Sequence, residues 1–266
     1  MGFDALFFGR MDIEDYNTRI ENKELQFVWM PNSDSKTEDL KIFTHKMWDR
    51  YGWNPGPSNF DMIKNDEGMS PETAEQFVSQ IIEDLNNTQL HNFRHKHIFQ
   101  QWGDDFNFMN AFFNFENLDY VINYANEHYG DKFFFKYSTP SEYIDTISKL
   151  QIEWPTKYDD LFPYSDKPGG FWTGYFTSRA NLKAYIKRGS SYTHASNSLY
   201  TERVLAQDSS ETEIDKLLTA KYIMLDAMGI NQHHDAVTGT AKQAVTEDYY
   251  YIMSRAIEWN SKEYSF

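Results

Sequence analysis

The chain of 266 residues contains no cysteine. Disulfides, thiol nucleophiles and thiolate zinc sites are therefore excluded. Glycine (13) and proline (8) are scarce, which argues against a linker or low-complexity chain. Basic residues are outnumbered, 25 Lys and Arg against 40 Asp and Glu, for a net charge of −15. A surface of that sign disfavours nucleic acid and anionic membranes, because a phosphate array needs a cationic face. No apolar run reaches the ~18 residues of a membrane span. The first residues, MGFDALFFG, lack the basic start and long apolar region of a signal peptide, so the chain reads as one that opens inside a domain. What is abundant is core material, 40% hydrophobic and 17% aromatic residues. At ~150 residues per domain the length suggests one to two domains.

The first part of the chain, residues 1–168, alternates short apolar runs with helical stretches. Strands are expected at Ala5–Gly9, Gln26–Met30, His97–Trp102, Lys132–Tyr137 and Gln151–Trp154, with loop and short structure over residues 32–69. Helices are expected behind Ser70-Pro71-Glu72, over residues 115–128, and over Pro140–Leu150. In the first of these, Phe77, Ile81 and Leu85 share one face. Strand–helix alternation predicts an α/β domain on a parallel sheet. A full eight-unit barrel needs ~250 residues, so this stretch is at most part of one.

Past Pro168-Gly169-Gly170 the character becomes all-helical, and residues 169–266 predict a bundle of three helices. Arg179–Leu205 forms one long or broken helix around Gly189. Ser210-x-x-Glu213 is a capping box, with a stripe of Ile214, Leu217, Leu218, Leu225 and Met228 behind it. Thr240-x-x-Gln243 is a second capping box, followed by Ala241, Val245, Tyr249, Ile252, Ala256 and Trp259.

Four stretches could carry chemistry. Gln232–Thr240 (QHHDAVTGT) packs His233, His234 and Asp235 between two helices. Imidazole and carboxylate are the zinc ligands open to a cysteine-free protein. Neighbouring residues point in different directions, so one histidine is expected to ligate and the other to bind substrate or support the ligand. The competing reading is an interhelix loop with chance histidines. Gly103-Asp104-Asp105-Phe106 puts two acids beyond a predicted strand end, where α/β folds place active residues. An apolar setting of Trp102, Phe106 and Phe108 would push their pKa values apart; the alternative is a helix cap. Phe171–Arg179 (FWTGYFTSR) could stack on a sugar ring or fill an aromatic interdomain core. Phe7-Phe8-Gly9-Arg10 leaves an arginine just past a strand, able to orient a carboxylate.

Taken together, GFDALFFGRMDI (2–13), Gly103–Phe106, FWTGYFTSR and QHHDAVTGT resemble glycoside hydrolase family 38, the zinc-dependent retaining α-mannosidases, the lysosomal type above all. The resemblance implies roles. His234 would be a zinc ligand, and Asp235 and His233 would contact the sugar. Asp105 would be the general acid/base with Asp104 beside it. Trp172 would stack on the sugar, Arg10 would sit near the nucleophile, and Tyr51 in Tyr51-Gly52-Trp53-Asn54-Pro55 would match a site tyrosine. It also implies a mannose-containing oligosaccharide as substrate, one zinc ion, and a lysosomal or secretory location. The family needs a further His-x-Asp pair and a nucleophilic Asp. The single His-x-Asp here is His233-His234-Asp235. Those groups are therefore expected to lie before Met1, and further β-domains after Phe266, as flanking partners. A noncatalytic glycan- or partner-binding remnant of the same fold is the rival function. A deacetylase-like zinc hydrolase fits less well, since its ligands would sit at barrel strand ends. Asp105 and His234 have a shared purpose only if they converge on one cleft.

Overall fold

The computed structural model describes residues 2–31, 40–52, 69–206 and 209–264. The chain divides into two compact units, residues 1–171 and 172–266.

The first unit is built on a four-stranded sheet in the order β1 (Ala5–Phe8), β3 (Ile42–Lys46), β2 (Gln26–Trp29), β4 (Thr156–Lys157). β1 and β3 are parallel, with Ala5 opposite Phe43 and Phe8 opposite Lys46. β2 runs antiparallel to β3 and parallel to β4. The sheet is thus mixed, not parallel throughout as expected. α1 (Ile13–Asn22) follows β1 and is capped by the Asp12 carboxylate, which accepts from the amides of Glu14 and Asp15.

Three expected strands do not form. Residues 97–102, 132–137 and 151–154 have strand-like composition but no ladder, and a strand exists only where a neighbouring backbone completes its hydrogen bonds. β3, five residues long, lies inside the stretch read as loop with short structure. The rest of that stretch, residues 32–39 and 53–68, falls outside the described residues.

The helices follow the sequence more closely. α2 (Pro71–Asn87) is capped by the Ser70 hydroxyl accepting from the Thr73 amide, with Pro71 at its start. A short helix α3 (Gln89–Asn92) follows directly. α2 buries Phe77, Val78, Ile81 and Leu85 against Leu118, Val121 and Ala125 of α4 (Ala111–Tyr129). α5 (Pro140–Ile147) closes the series, capped by Thr139.

Under the sheet lies a buried polar network. Gln26 donates through Nε2 to His45 Nδ1 (3.0 Å) and to the Tyr143 hydroxyl (2.9 Å), while its Oε1 faces His95 Nε2 at 2.9 Å. The His97 amide donates to His95 Nδ1, so His95 carries its proton on Nε2 and Gln26 is oriented by it. His45 is 1% exposed and keeps its proton on Nε2, which has no partner among the described residues. Burial pushes His45 down to about 3 and His95 down to about 4.

The second unit opens with a turn of 3-10 helix at Gly174–Phe176 and continues as α6 (Ala180–Ala206), α7 (Glu211–Asn231) and α8 (Gln243–Tyr264), each packed on the other two. α6 runs through Gly189 without a break. The Ser210–Glu213 capping box of α7 forms. The expected stripes are corrected. α7 buries Leu217, Ala220, Met224, Ala227 and Asn231, and Leu225 is exposed. α8 buries Thr246, Met253, Ala256 and Asn260, leaving Val245 and Trp259 outside. Its face is turned by one residue because two polar side chains, Thr246 and Asn260, occupy core positions, and Asn260 is paired there. Asn260 donates to Ala220 O at 2.8 Å and accepts from Ser196, which removes the cost of burying the amide.

Candidate functional site

In the first unit, four of the singled-out residues come together. The amide of Met47 donates to Phe8 O at 3.0 Å, so the chain leaving β1 and the chain leaving β3 run side by side beyond the sheet. Gly9 lies so close to Tyr51 that a Cβ on it would stand 2.8 Å from the Tyr51 backbone nitrogen. The next residue, Arg10, sits over the Tyr51 ring (5.5 Å to the centroid) and the Tyr164 ring (5.8 Å), two cation–π contacts. The Tyr51 hydroxyl donates to Asp105 Oδ1 at 3.4 Å. The Asp105 amide donates to Asp104 Oδ1 at 2.8 Å, and a Cβ on Gly52 would stand 2.4 Å from that same oxygen. Arg10, Tyr51, Asp104 and Asp105 thus form one connected group at the C-terminal ends of the parallel strands β1 and β3.

The segment carrying the acids reaches this place without being a strand. Phe99 packs on Phe7 of β1 (5.2 Å) and on Tyr143 (5.2 Å), and Gln101 donates to Arg50 O at 2.8 Å. Asp104 and Asp105 are both exposed, and Phe106 is 90% exposed. The apolar enclosure expected of Phe106 is therefore absent. The reason is local. Gly103, Phe106 and Phe108 all have positive φ (127°, 64° and 59°), and the tight turn they make throws Phe106 outward.

The second unit holds the other group. His233 Nε2 and His234 Nε2 lie 3.5 and 3.7 Å from one oxygen, Asp235 Oδ2. The two imidazoles are 4.3 Å apart, and ligand atoms of all three residues lie within 4.8 Å of one another. The expectation that neighbouring histidines diverge is overturned. Divergence holds for a strand, whereas residues 232–239 form consecutive turns that bring both rings onto the same side. The other oxygen, Asp235 Oδ1, accepts from the Thr240 hydroxyl at 2.7 Å. That bond, followed by the two imidazoles, holds the Asp235 carboxyl below the usual range. Thr240 is therefore not a helix cap. α8 starts at Gln243, and the side chain expected to complete a capping box instead accepts from Arg179.

Donor chemistry and spacing here fit a divalent cation such as zinc. Two imidazole nitrogens and one carboxylate oxygen are mutually close and partly open, with His234 the most exposed at 84% of its side chain.

Sequence reasoning missed the groups that shape this loop. Ser178 Oγ donates to Gly239 O at 2.9 Å. Arg179 donates to Ala241 O at 3.1 Å and to Gln243 Oε1 at 2.7 Å. Lys183 Nζ donates to Val237 O and Thr238 O at 2.7 and 2.8 Å. The signal was available, since Ser178 and Arg179 close the FWTGYFTSR stretch and Lys183 lies one helical turn further on. The aromatics of that stretch are largely exposed, Trp172 at 43% and Phe176 at 49%, with Tyr175 edge-on to Phe176 at 4.9 Å.

Comparison with known proteins identifies the family. Residues 1–167 match the glycosyl hydrolases family 38 N-terminal domain and residues 170–264 match the alpha mannosidase middle domain. The lysosomal alpha-mannosidase of Dictyostelium discoideum is 36% identical over 259 residues, which is 94% of this chain and 25% of that protein. The human lysosomal alpha-mannosidase is 33% identical over 258 residues, again 94% and 25%. The chain thus spans about a quarter of the length of these relatives. The crystal structure of an alpha-mannosidase from Enterococcus faecalis V583 superposes with a TM-score of 0.57 at 15% identity, covering 98% of this chain and 29% of that one. That likeness shows a shared fold. The chain belongs to glycosyl hydrolase family 38.

Proposed function

We propose that the chain contributes to the hydrolysis of α-mannosidic bonds in mannose-containing oligosaccharides by a retaining mechanism that uses one zinc ion. The observation that carries the reading is the connected group Arg10, Tyr51, Asp105 and Asp104 at the ends of two parallel strands, in a domain of this family.

A retaining glycosidase uses two carboxylates, one to attack the anomeric carbon and one to protonate the leaving oxygen and then deprotonate water. Asp105 takes the second role. It is exposed to a ligand, and Tyr51 reaches one of its oxygens and leaves the other open. Asp104 accepts from the Asp105 amide and so sets the turn that presents the acid. Arg10 supplies positive charge beside the tyrosine, near where the attacking carboxylate would stand. The nucleophile and the remaining zinc ligands come from outside these 266 residues, and the sheet is read as part of a larger β/α barrel.

In the three-helix domain, His234 would hold zinc, with Asp235 and His233 placed to meet sugar hydroxyls and Trp172 available to stack on the ring. Bound zinc supplies a Lewis-acid template for those hydroxyls. The lysosomal relatives favour a lysosomal or secretory location for the parent protein.

Two measurements test the reading. The 266-residue chain alone should hydrolyse aryl α-mannosides negligibly, since loss of a nucleophile removes several orders of magnitude in rate. Turnover at ordinary enzyme rates would mean that another carboxylate of this chain attacks the sugar. In an active α-mannosidase carrying this segment, Asp105→Asn should slow substrates with poor leaving groups by about 10²–10⁴-fold, and activated aryl mannosides much less. Equal loss across the leaving-group series would remove Asp105 from the role. The selective loss appearing in Asp104→Asn would transfer the role to its neighbour. Mannoside binding without turnover in the natural longer protein that carries this segment would favour the noncatalytic remnant.

A further inference from the structure

The second unit grips its candidate ligand loop in an unusual way. Three side chains from one short stretch, Ser178, Arg179 and Lys183, donate to four carbonyls in five residues of the loop, those of Val237, Thr238, Gly239 and Ala241. All three are half-buried. Lys183 sits in the first turn of α6 and Arg179 immediately precedes it. Cations there oppose the helix dipole, which favours negative charge at an N-terminus. Arg179 also holds a φ of 51°, a conformation that costs a non-glycine residue free energy. Dehydration of the amine adds a further cost, and it draws the Lys183 pKa below its ordinary value. Three unfavourable features on two residues, Arg179 and Lys183, have one visible return, the fixed path of the loop.

That path decides the geometry of the triplet. The carbonyls gripped by Lys183 and Ser178 belong to the turns that follow Asp235, and the Ala241 carbonyl lies just beyond Thr240, whose hydroxyl orients Asp235 Oδ1. Gly239, with φ +74°, passes so close to the clamp that a Cβ would stand 2.6 Å from Ser178 O.

We infer that Ser178, Arg179 and Lys183 are positioning residues, a clamp on loop carbonyls that fixes His234 for cation binding, with His233 and Asp235 held against it. The part concerning cation binding rests on the proposed function. The part concerning the clamp does not.

The test uses the purified chain and two readouts. In metal-free protein, amide exchange is measured at Ala236, Gly239 and Ala241, which donate to His233 O, Ala236 O and Asp235 O. Lys183→Met, and separately Arg179→Gly, which relieves the positive φ while removing the guanidinium, should speed exchange at these amides at least tenfold. Exchange in the middle of α7 and α8 should not change. Zinc is then titrated against the His233 and His234 ring resonances. Each variant should bind about 10–100-fold more weakly, the usual effect of losing a residue that orients ligands, at a nearly unchanged Tm. Lys183→Arg should recover part of the loss. Unchanged exchange at the three amides in both variants would overturn the clamp, whatever zinc does. Faster exchange with zinc affinity unchanged would overturn its role in ligand placement. Wild-type chain that shows no zinc response would count against the zinc reading of the function, leaving exchange to decide the clamp.

Discussion

In the first unit the acids hang from side chains: Asp105 is reached by a single 3.4 Å hydrogen bond from an exposed tyrosine, and that tyrosine leans on an arginine. In the second unit the His233–Asp235 loop is held through its backbone, by two cations and a hydroxyl on four carbonyls. A proton-transferring carboxylate can tolerate small motion, because its geometry tightens when substrate binds. Metal ligands tolerate less, since ligand orientation sets affinity directly. The contrast between an adjustable acid and a fixed ligand loop matches the two tasks proposed for them, and it can be tested unit by unit.

The largest expected effect is acid sensitivity confined to the first unit. His45 and His95 are buried neutral, with folded-state values of about 3 and about 4 against 6.5 for a free imidazole. The unfolded chain therefore binds more protons between these limits. Stability is fully present above pH 6.5 and is lost as pH falls toward 4 and then 3, at up to about 1.4 kcal/mol per pH unit for each imidazole. Lys46, about 7 in the fold against 10.5 free, is protonated in both states at acid pH and adds no slope there. The lowered Asp235 in the second unit acts only near and below pH 3.8. Amide exchange in α2 and α4 should thus accelerate between pH 6.5 and 4.5 while α7 and α8 hold, and His45→Leu should flatten the first response. Equal acceleration in both units would remove the histidine network as the cause.

The glycines facing each candidate group give a smaller, paired effect. Gly239→Ala places a side chain at φ +74° and within 2.6 Å of a backbone oxygen, neither of which can yield cheaply. We expect a loss of about 1–3 kcal/mol in the second unit, read by denaturant unfolding. Gly52→Ala meets the tip of the Asp104 carboxylate at 2.4 Å, a flexible group that can swing aside. Stability should change by less than about 1 kcal/mol, while activity of an enzyme carrying the segment falls as Asp105 loses its support. Similar stability losses from both substitutions would erase the distinction between a backbone-held and a side-chain-held group.

The smallest effect is expected for Tyr51→Phe. The lost bond is long and exposed, so it is worth less than about 1 kcal/mol, a few-fold in kcat/KM. A hundredfold loss would show the hydroxyl acting directly in proton transfer rather than as a prop for Asp105.

Local chemistry was legible where it is self-contained. Ser70 with Pro71, and Ser210 with Glu213, announce helix starts that the structure keeps, because a capping side chain bonds to its own next turn. The buried face of α2 could be read from Phe77, Ile81 and Leu85. The face of α8 could not, since Thr246 and Asn260 read as solvent-facing until Ser196 and Ala220 are seen to pair with Asn260. Asp12 capping α1 was a local signal left unread.

The sequence by itself determined the composition limits, the helix starts at Ser70 and Ser210 and the apolar face of α2. All of these depend on groups within a few positions of one another. Tertiary structure alone decided which apolar runs became strands, that Tyr51 reaches Asp105 across 54 positions, and that Lys183 grips carbonyls 54 and 55 positions away. The physical reason is shared. A ladder, a cation on a carbonyl and a hydroxyl on a carboxylate each need a partner delivered from elsewhere in the chain, and only the closed fold brings that partner within 3 to 4 Å.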